Sequence, residues 1–307
     1  MANSIKHVAL QHHAITGGVL ALLAAIGFSA KAILVKLAYA AHVDAITLLA
    51  MRMAFSVPVF LAVAIWTNTR EQQTALTARD WFAVVALGLI GYYLASYLDF
   101  LGLQYISAGL ERLILFLYPT MVVVLSAWLY RQSIKPREQF ALLLSYAGIA
   151  LVFVHDVGMR ENGILTGALL VFGSALAYAI YLVGANHTIA RIGATRFTAY
   201  AMTVASGASI AQFAVTHPLN DLILGERIYY LGLAMAIFST VLPAFLISAA
   251  MRRIGAGKTA LIGAIGPVST IYLAWVFLGE SISLVQITGS MLVLAGVLAI
   301  SMKRRRY

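Results

Sequence analysis

Six ionisable side chains lie inside long apolar stretches of the chain, where charged groups are rare. They are Lys31, Lys36, Arg52, Asp99, Glu111 and Arg112. A charge near the centre of a bilayer costs about 2.5 kcal/mol or more, so each of these groups needs a partner or a water-filled cavity. Four are cationic and two are anionic, which leaves a surplus of positive charge. Such a surplus favours the recognition of a small solute that carries a carboxylate.

The chain positions of these groups predict which of them meet. Lys31 and Arg52 are equidistant from the turn between the first two apolar stretches, and Asp99 and Arg112 are equidistant from the turn between the next two. Equal distance from a turn means similar depth, so the sequence predicts a salt bridge between Asp99 and Arg112. Glu111 points about 100° away from Arg112 around the helix and can face Lys31 or Arg52.

Two interpretations of these charges stay open. In the first, the ion pairs are structural and lock one end of a helix bundle, while Lys36 extends to the membrane surface. In the second, Lys31 and Arg52 line a cavity and bind substrate. As a separate hypothesis, Glu111 is partly desolvated and takes up a proton from outside, which would couple transport to a proton gradient.

Polar and aromatic side chains form stripes on two apolar stretches. Tyr92, Ser96 and Asp99 are spaced four and then three residues apart, and Tyr178 and Tyr181 are three apart. These spacings place each set on one helical face, which favours a cavity lining. We therefore include Tyr92, Ser96, Tyr178 and Tyr181 among the candidate substrate-binding residues. Ordinary packing, with each hydroxyl bonded to a neighbouring helix, is the alternative.

The elements that must position these residues follow from composition. The chain has 307 residues, of which 62% are apolar and only 10% charged, and it has no Cys. This balance excludes a soluble domain, a disordered chain and a disulfide scaffold. Since about 20 apolar residues cross a bilayer, the sequence predicts an all-α integral membrane protein with ten transmembrane helices. They lie near residues 16–38, 44–66, 80–103, 107–129, 136–155, 163–187, 195–216, 227–251, 257–278 and 283–302.

Basic residues between these segments predict the orientation. If the N-terminus is cytoplasmic, nearly all Lys and Arg outside the spans are cytoplasmic too, including the run Lys303, Arg304, Arg305 and Arg306, and only Arg160 and Arg227 fall outside. Cytoplasmic loops carry this excess in membrane proteins. We therefore expect a multi-pass protein of a bacterial inner membrane with both termini in the cytoplasm.

The two halves of the sequence resemble each other. Gly109, Leu113 and Pro119 correspond to Gly257, Leu261 and Pro267, each 148 positions later, and Thr16 and Gly17 correspond to Thr166 and Gly167, 150 positions later. We expect one five-helix repeat over 16–155 and a second over 163–302. Because five is odd, the second repeat enters the membrane inverted, as in carriers that alternate access between two bundles. Pro119 and Pro267 are then candidate hinges, with a static kink as the alternative.

Two sets of motifs stand at corresponding places in the halves. They are Ala108-Gly109 and Tyr118-Pro119 in the fourth span, and Gly255-Ala256-Gly257, Gly266-Pro267 and Leu278-Gly279-Glu280 in and after the ninth. With these motifs, ten helices in two such halves resemble the drug/metabolite transporter superfamily, in particular its EamA-type exporters. The resemblance implies export of small metabolites without an ATPase subunit. The first half departs from the pattern, since Arg131-Gln132 stands where the second has Gly279-Glu280.

The sequence therefore predicts a secondary-active transporter that exports a carboxylate-bearing or zwitterionic metabolite such as an amino acid. We expect no enzyme activity and no cofactor, and no metal because His12-His13 has no third ligand nearby. Scattered basic residues argue against nucleic acid. The partners are then a small-molecule substrate and the lipid bilayer, and a homodimer is left open. The alternative is an intramembrane enzyme or sensor acting on a small amphipathic substrate.

Overall fold

The computed structural model describes residues 2–69, 75–131, 133–159 and 163–301. Arg160, the run from Lys303 to Arg306 and the side chains of His12 and His13 lie outside the described residues. Ten helices follow one another in the part described. They are α1 (Ala2–Tyr39), α2 (Ala45–Asn68), α3 (Ala78–Leu103), α4 (Ala108–Leu129), α5 (Pro136–Met159), α6 (Ile164–Ile192), α7 (Ala194–Thr216), α8 (Glu226–Gly255), α9 (256–278) and α10 (Leu284–Ser301).

Each predicted span falls on one of these helices. Seven of them contain stretches long and apolar enough to cross a membrane, and two shorter apolar helices, Gly266–Leu278 and Leu284–Ala299, belong to α9 and α10. α7 has 23 residues and is less apolar. Large apolar side chains such as Phe82 and Trp128 are about three-quarters exposed on the outside of the bundle. A surface of this kind suits lipid, so the prediction of an all-α integral membrane protein is confirmed.

Local sequence signals explain where several helices begin. The Asp44 carboxylate accepts hydrogen bonds from the N–H groups of Ile46 and Thr47, at 2.8 and 3.0 Å, and so caps α2. Thr77 and Asp80 form a reciprocal capping box at the start of α3. These side chains satisfy donors that would otherwise have no partner at a helix N-terminus. We name the two ends of the bundle after these caps, the Asp44 end and the Asp80 end.

Helix packing shows an inverted two-fold relationship between the halves. α1 packs against α8 and α9, and α6 packs against α3 and α4 in the same way, while α2 pairs with α7 and α5 with α10. Exchanging the halves leaves this set of contacts unchanged. Two repeat-related glycines show the inversion, because Gly17 of α1 packs on Ile254 at the Asp80 end, whereas Gly167 in the first turn of α6 packs on Ile106 at the Asp44 end.

Close glycine contacts repeat the same symmetry between α5 and α10. A Cβ atom added to Gly148 would lie 2.6 Å from the carbonyl oxygen of Gly289, and one added to Gly296 would lie 2.6 Å from that of Ala141. Gly148 and Ala141 are related to Gly296 and Gly289 by the sequence offset of 148. Only a missing side chain lets the backbones approach so closely.

Irregular turns recur at the same offset. A π-helical turn interrupts α3 at Leu89–Leu94, and another interrupts α8 at Ile237–Val241. Each inserts a residue into the helix and rotates the side chains that follow. A second irregularity ends α4 and α9: Arg131 and Gly279 both have positive φ, of 51° and 68°. Glycine adopts this conformation without strain, whereas non-glycine residues adopt it rarely; in the described part of the chain, Arg131 and His42 are the non-glycine residues with positive φ.

Candidate functional site

Lys31 lies at the centre of a buried charge cluster formed by α1, α3 and α4. Its ammonium group donates a hydrogen bond to Oδ2 of Asp99 and lies 3.2 Å from Oε1 of Glu111. Asp99 is 1% exposed and Glu111 is fully buried. Two buried carboxylates without a cation would be strongly unfavourable, so Lys31 compensates part of their charge.

The expected salt bridge between Asp99 and Arg112 is wrong, because Asp99 pairs with Lys31 instead. Equal depth along a hairpin does not fix the direction in which a side chain points. Asp99 faces α1, whereas Arg112 points toward α9. The expected contact between Glu111 and Lys31 is present.

Arg52 lies beside this cluster on α2. Its Nη2 donates to Oγ of Ser96 at 2.9 Å, and its guanidinium lies 4.8 Å from the centre of the Phe100 ring. The residue is 4% exposed, and its Nε has no hydrogen-bond partner. Among the described residues, no carboxylate lies within ion-pair distance of this guanidinium.

Arg112 occupies the space beside a glycine of the opposite half. A Cβ atom added to Gly266 would lie 2.9 Å from Nη2 of Arg112, so this guanidinium fits because residue 266 has no side chain. The Nε of Arg112 is buried and has no hydrogen-bond partner. No carboxylate of the described chain lies within ion-pair distance of Arg112 either. Tyr118 and Tyr178 lie near this guanidinium.

Four tyrosines join the two halves next to Arg112. The hydroxyls of Tyr92 and Tyr181 lie 2.8 Å apart, and the rings of Tyr178 and Tyr181 stack with centroids 5.6 Å apart. Tyr118 meets Tyr178 edge to face at 5.1 Å. All three stripe residues of α3 therefore have polar partners: Tyr92 meets Tyr181, Ser96 meets Arg52, and Asp99 meets Lys31. Direct hydroxyl pairing of Tyr92 with Tyr181 agrees with the packing interpretation of those two residues.

Sequence reasoning missed several residues of this region. In the sequence, Tyr118 stands out only as part of the Tyr118-Pro119 motif. Phe100 was missed because an apolar ring in an apolar helix gives no signal. Tyr39 was missed as well, although its hydroxyl donates to the Phe100 carbonyl at 2.7 Å. An open crevice of about 360 Å³ at the Asp44 end has Tyr39 in its wall, together with Lys36, His42, Val43, Asp44, Leu103 and Gln104.

The two candidate hinge prolines occupy equivalent breaks in α4 and α9. α4 is interrupted at Phe116–Leu117 and resumes at Tyr118, and α9 is interrupted at Ala264–Ile265 and resumes at Gly266. Pro119 and Pro267 each stand in the first turn of the resumed segment. In that position the missing N–H of proline removes no helical hydrogen bond.

Glu280 connects the two halves at the Asp44 end of the bundle. Its carboxylate accepts hydrogen bonds from the backbone N–H groups of Ala108 and Gly109, at 3.0 and 3.4 Å. A carboxylate is favourable at a helix N-terminus, so the loop after α9 holds the start of α4. In the sequence, Glu280 stands out only as part of the Leu278-Gly279-Glu280 motif. Its repeat counterpart, residue 132, lies outside the described residues.

Taken together, the inverted five-helix halves and the buried charges among α1, α2, α3 and α4 define a multi-pass membrane protein with a polar interior. The comparison with known proteins identifies the family. The model of the EamA-like transporter family matches the chain twice, over residues 15–154 and 165–302. The chain belongs to this family, and the resemblance to the drug/metabolite transporter superfamily is confirmed.

Similar proteins are named as transporters. The uncharacterized transporter YcbK of Bacillus subtilis (strain 168) is 29% identical over 280 residues, which cover 90% of this chain and 89% of that protein. The threonine/homoserine exporter RhtA of Escherichia coli (strain K12) is 29% identical over 213 residues, covering 67% of this chain and 65% of RhtA. A crystal structure with 18% identity superposes with a TM-score of 0.66 over 93% of this chain and 95% of that one, which shows a shared fold.

Proposed function

We propose that this transporter exports a small carboxylate-bearing or zwitterionic metabolite, such as an amino acid. The observation that carries the proposal is the pair of guanidinium groups of Arg52 and Arg112, each with a buried Nε that has no hydrogen-bond partner. Neither has a carboxylate within ion-pair distance in the described chain. Lys31 is already engaged by both buried acids. Counting Lys31, the site keeps one positive charge in excess, and a carboxylate on the solute would neutralise it.

Of the two guanidiniums, Arg112 is the better candidate for contact with the solute. Arg52 is engaged by Ser96 and Phe100. Arg112 lies against Gly266 and beside the tyrosines that join the halves, where alternating access would open a path. Tyr92, Ser96, Tyr178 and Tyr181 form the remaining wall in this proposal, and Pro119 and Pro267 are the hinges.

One of the named relatives supports export of an amino acid. RhtA is named for threonine and homoserine, both of which carry a carboxylate and an ammonium group. We place the protein in a bacterial inner membrane with both termini in the cytoplasm, since the matched relatives are bacterial and the basic loops follow the positive-inside rule. On this orientation the Asp44 end faces outward.

Counterflow in proteoliposomes tests the proposal. Purified protein is reconstituted with unlabelled L-threonine inside, and uptake of labelled L-threonine is followed. We expect transient accumulation of label. We also expect excess 2,3-dihydroxybutanoate, which has the carboxylate of threonine but no ammonium group, to compete better than a primary amine without a carboxylate. A panel of amino acids run in the same way covers other side chains.

An arginine variant and its matched control locate the site. Arg112→Gln removes the proposed carboxylate ligand and should lower counterflow about tenfold or more, the effect of losing a charge-assisted hydrogen bond of ~1.5 kcal/mol. Arg137→Gln, at an exposed position in the first turn of α5, should leave counterflow unchanged. Absence of counterflow with every carboxylate tested, or chemical turnover of the solute without movement across the membrane, would contradict the proposal and favour the intramembrane enzyme.

A further inference from the structure

The two carboxylates around Lys31 have more acceptor capacity than Lys31 uses. Oδ1 of Asp99 and both oxygens of Glu111 are buried and lack a hydrogen-bond partner, although Oε1 of Glu111 lies within ion-pair distance of Lys31. Buried carboxylate oxygens in this state are costly, because each has lost its hydration without a replacement. The site therefore has acceptor capacity left for a further hydrogen-bond donor.

The group that fits this gap is a primary ammonium. It has three N–H donors and no acceptor, and it favours a position between two carboxylates. Lys31 already presents such a group at this point, carried on a flexible four-carbon chain from α1. The unsatisfied acceptors of Asp99 and Glu111 are matched elsewhere in the site by unsatisfied N–H groups on Arg52 and Arg112. One set suits an ammonium and the other suits a carboxylate.

We infer that Asp99 and Glu111 form the subsite for the amino group of the solute, and that Lys31 is a tethered substitute that fills this subsite when the carrier is empty. This inference rests on the proposed function. It reverses the role that the sequence favoured for Lys31, because the lysine competes with the solute and does not bind its carboxylate. The solute must then carry a free primary ammonium group.

The substitute role predicts an unusual response to removing Lys31. Lys31→Met clears the subsite, so the apparent affinity for L-threonine should rise, by about tenfold if the subsite is vacant in roughly a tenth of wild-type molecules. Binding of 2,3-dihydroxybutanoate, which lacks the ammonium, should not rise. The matched control is Lys36→Met, which removes a lysine from the same helix at the outer crevice and should change neither affinity.

Net transport gives a second measurement on the same variant. An empty carrier with two buried carboxylates and no Lys31 should return across the membrane slowly. Lys31→Met should therefore exchange L-threonine between two loaded compartments at a rate near that of the wild type, while efflux into a medium without substrate falls severalfold.

A separate variant keeps the inference testable if Lys31→Met does not fold. Glu111→Gln retains the pair of Lys31 and Asp99 but removes one acid of the subsite. It should weaken L-threonine binding about tenfold and leave 2,3-dihydroxybutanoate unchanged. Binding is measured by calorimetry on purified protein in lipid nanodiscs.

The outcomes separate this inference from the proposed function. If the wild type binds neither compound, the proposed function fails. If it binds both, but Lys31→Met or Glu111→Gln weakens both equally, the proposed function stands and the tethered-substitute inference is wrong. Loss of all binding in Lys31→Met, with the fold retained, would return Lys31 to the role of carboxylate ligand.

Discussion

The hydroxyls of Tyr92 and Tyr181 lie 2.8 Å apart and connect α3 of the first half to α6 of the second. Tyr92 stands within the π-helical turn of α3, and Gly91 beside it packs directly on the Tyr181 side chain. A carrier that alternates access must separate its halves during the cycle. This hydrogen bond is therefore one of the contacts that the separation would break.

Removing the bond should destabilise the described conformation modestly. Tyr181→Phe and Tyr92→Phe should each lower the free energy of unfolding by about 0.5–1.5 kcal/mol, the net contribution of one hydrogen bond. The double variant should lose little more than either single variant, because both remove the same bond. Thermal unfolding in detergent measures the three values, with Tyr130→Phe, at an exposed position, as the control. Additive losses would show that the hydroxyls act independently.

Gly266 should matter through Arg112. In Gly266→Ala the new methyl group meets the end of the Arg112 side chain, which is flexible enough to move, so we expect a stable protein with a displaced guanidinium. If Arg112 binds the carboxylate of the solute, affinity should fall about three- to tenfold, because charge-assisted hydrogen bonds depend on geometry. Calorimetry with L-threonine measures the change.

The control for this prediction is Gly263→Ala in the same helix. A Cβ atom at Gly263 has no neighbour within 4 Å, so this variant should bind as the wild type does. Equal effects of the two substitutions would indicate a general response of α9 and would argue against a specific role of Arg112.

Glu111 is the candidate for proton coupling. Glu111→Gln stays neutral at every pH, so a carrier that moves its proton on this residue should lose its dependence on a proton gradient. Exchange of saturating L-threonine across the membrane should continue, because exchange needs no net proton movement. Both are measured in proteoliposomes with and without an imposed gradient, with Glu226→Gln at an exposed position as the control. Unchanged gradient dependence would remove Glu111 from the coupling mechanism.

Glu280 should stabilise the contact between the halves at the Asp44 end. Glu280→Ala removes the acceptor for two N–H groups at the start of α4 and should cost about 1 kcal/mol of stability, as for other lost helix caps. Glu226→Ala also removes a glutamate from the first turn of a helix, but one without a capping hydrogen bond, and should cost less. The unfolding midpoints of the two variants are compared at one lipid-to-detergent ratio. Equal midpoints would show that the Glu280 carboxylate does not stabilise the start of α4.

The sequence predicts the helices of this protein better than their mutual rotation. Apolar length places all ten spans, and the glycine and proline offsets give the inverted repeat, because both signals depend on local composition. The spacing of Tyr92, Ser96 and Asp99 also places them correctly on one polar face. These features need no knowledge of the neighbouring helices.

The sequence does not predict which residues of other helices contact that polar face. Asp99 was expected to meet Arg112 and meets Lys31, because depth in a hairpin fixes height but not direction. The π-helical turn at Leu89–Leu94 rotates the part of α3 that carries Ser96 and Asp99. The residues of that turn give no sequence signal that predicts it. Contacts such as Arg112 on Gly266 join positions far apart in the chain and depend on how the halves pack.

Pro119 gives the test of whether the repeat-related breaks bend during transport. Because Pro119 begins a resumed helical segment, its replacement by Ala restores a donor without disturbing an existing hydrogen bond, and the protein should keep its stability. An Ala there permits α4 to continue through the break at Phe116–Leu117. We therefore expect Pro119→Ala to slow L-threonine counterflow severalfold with little change in substrate affinity, and Pro267→Ala to do the same in α9. A static kink predicts unchanged rates in both variants. A lower maximal rate of counterflow at unchanged substrate affinity therefore distinguishes a hinge from a fixed bend.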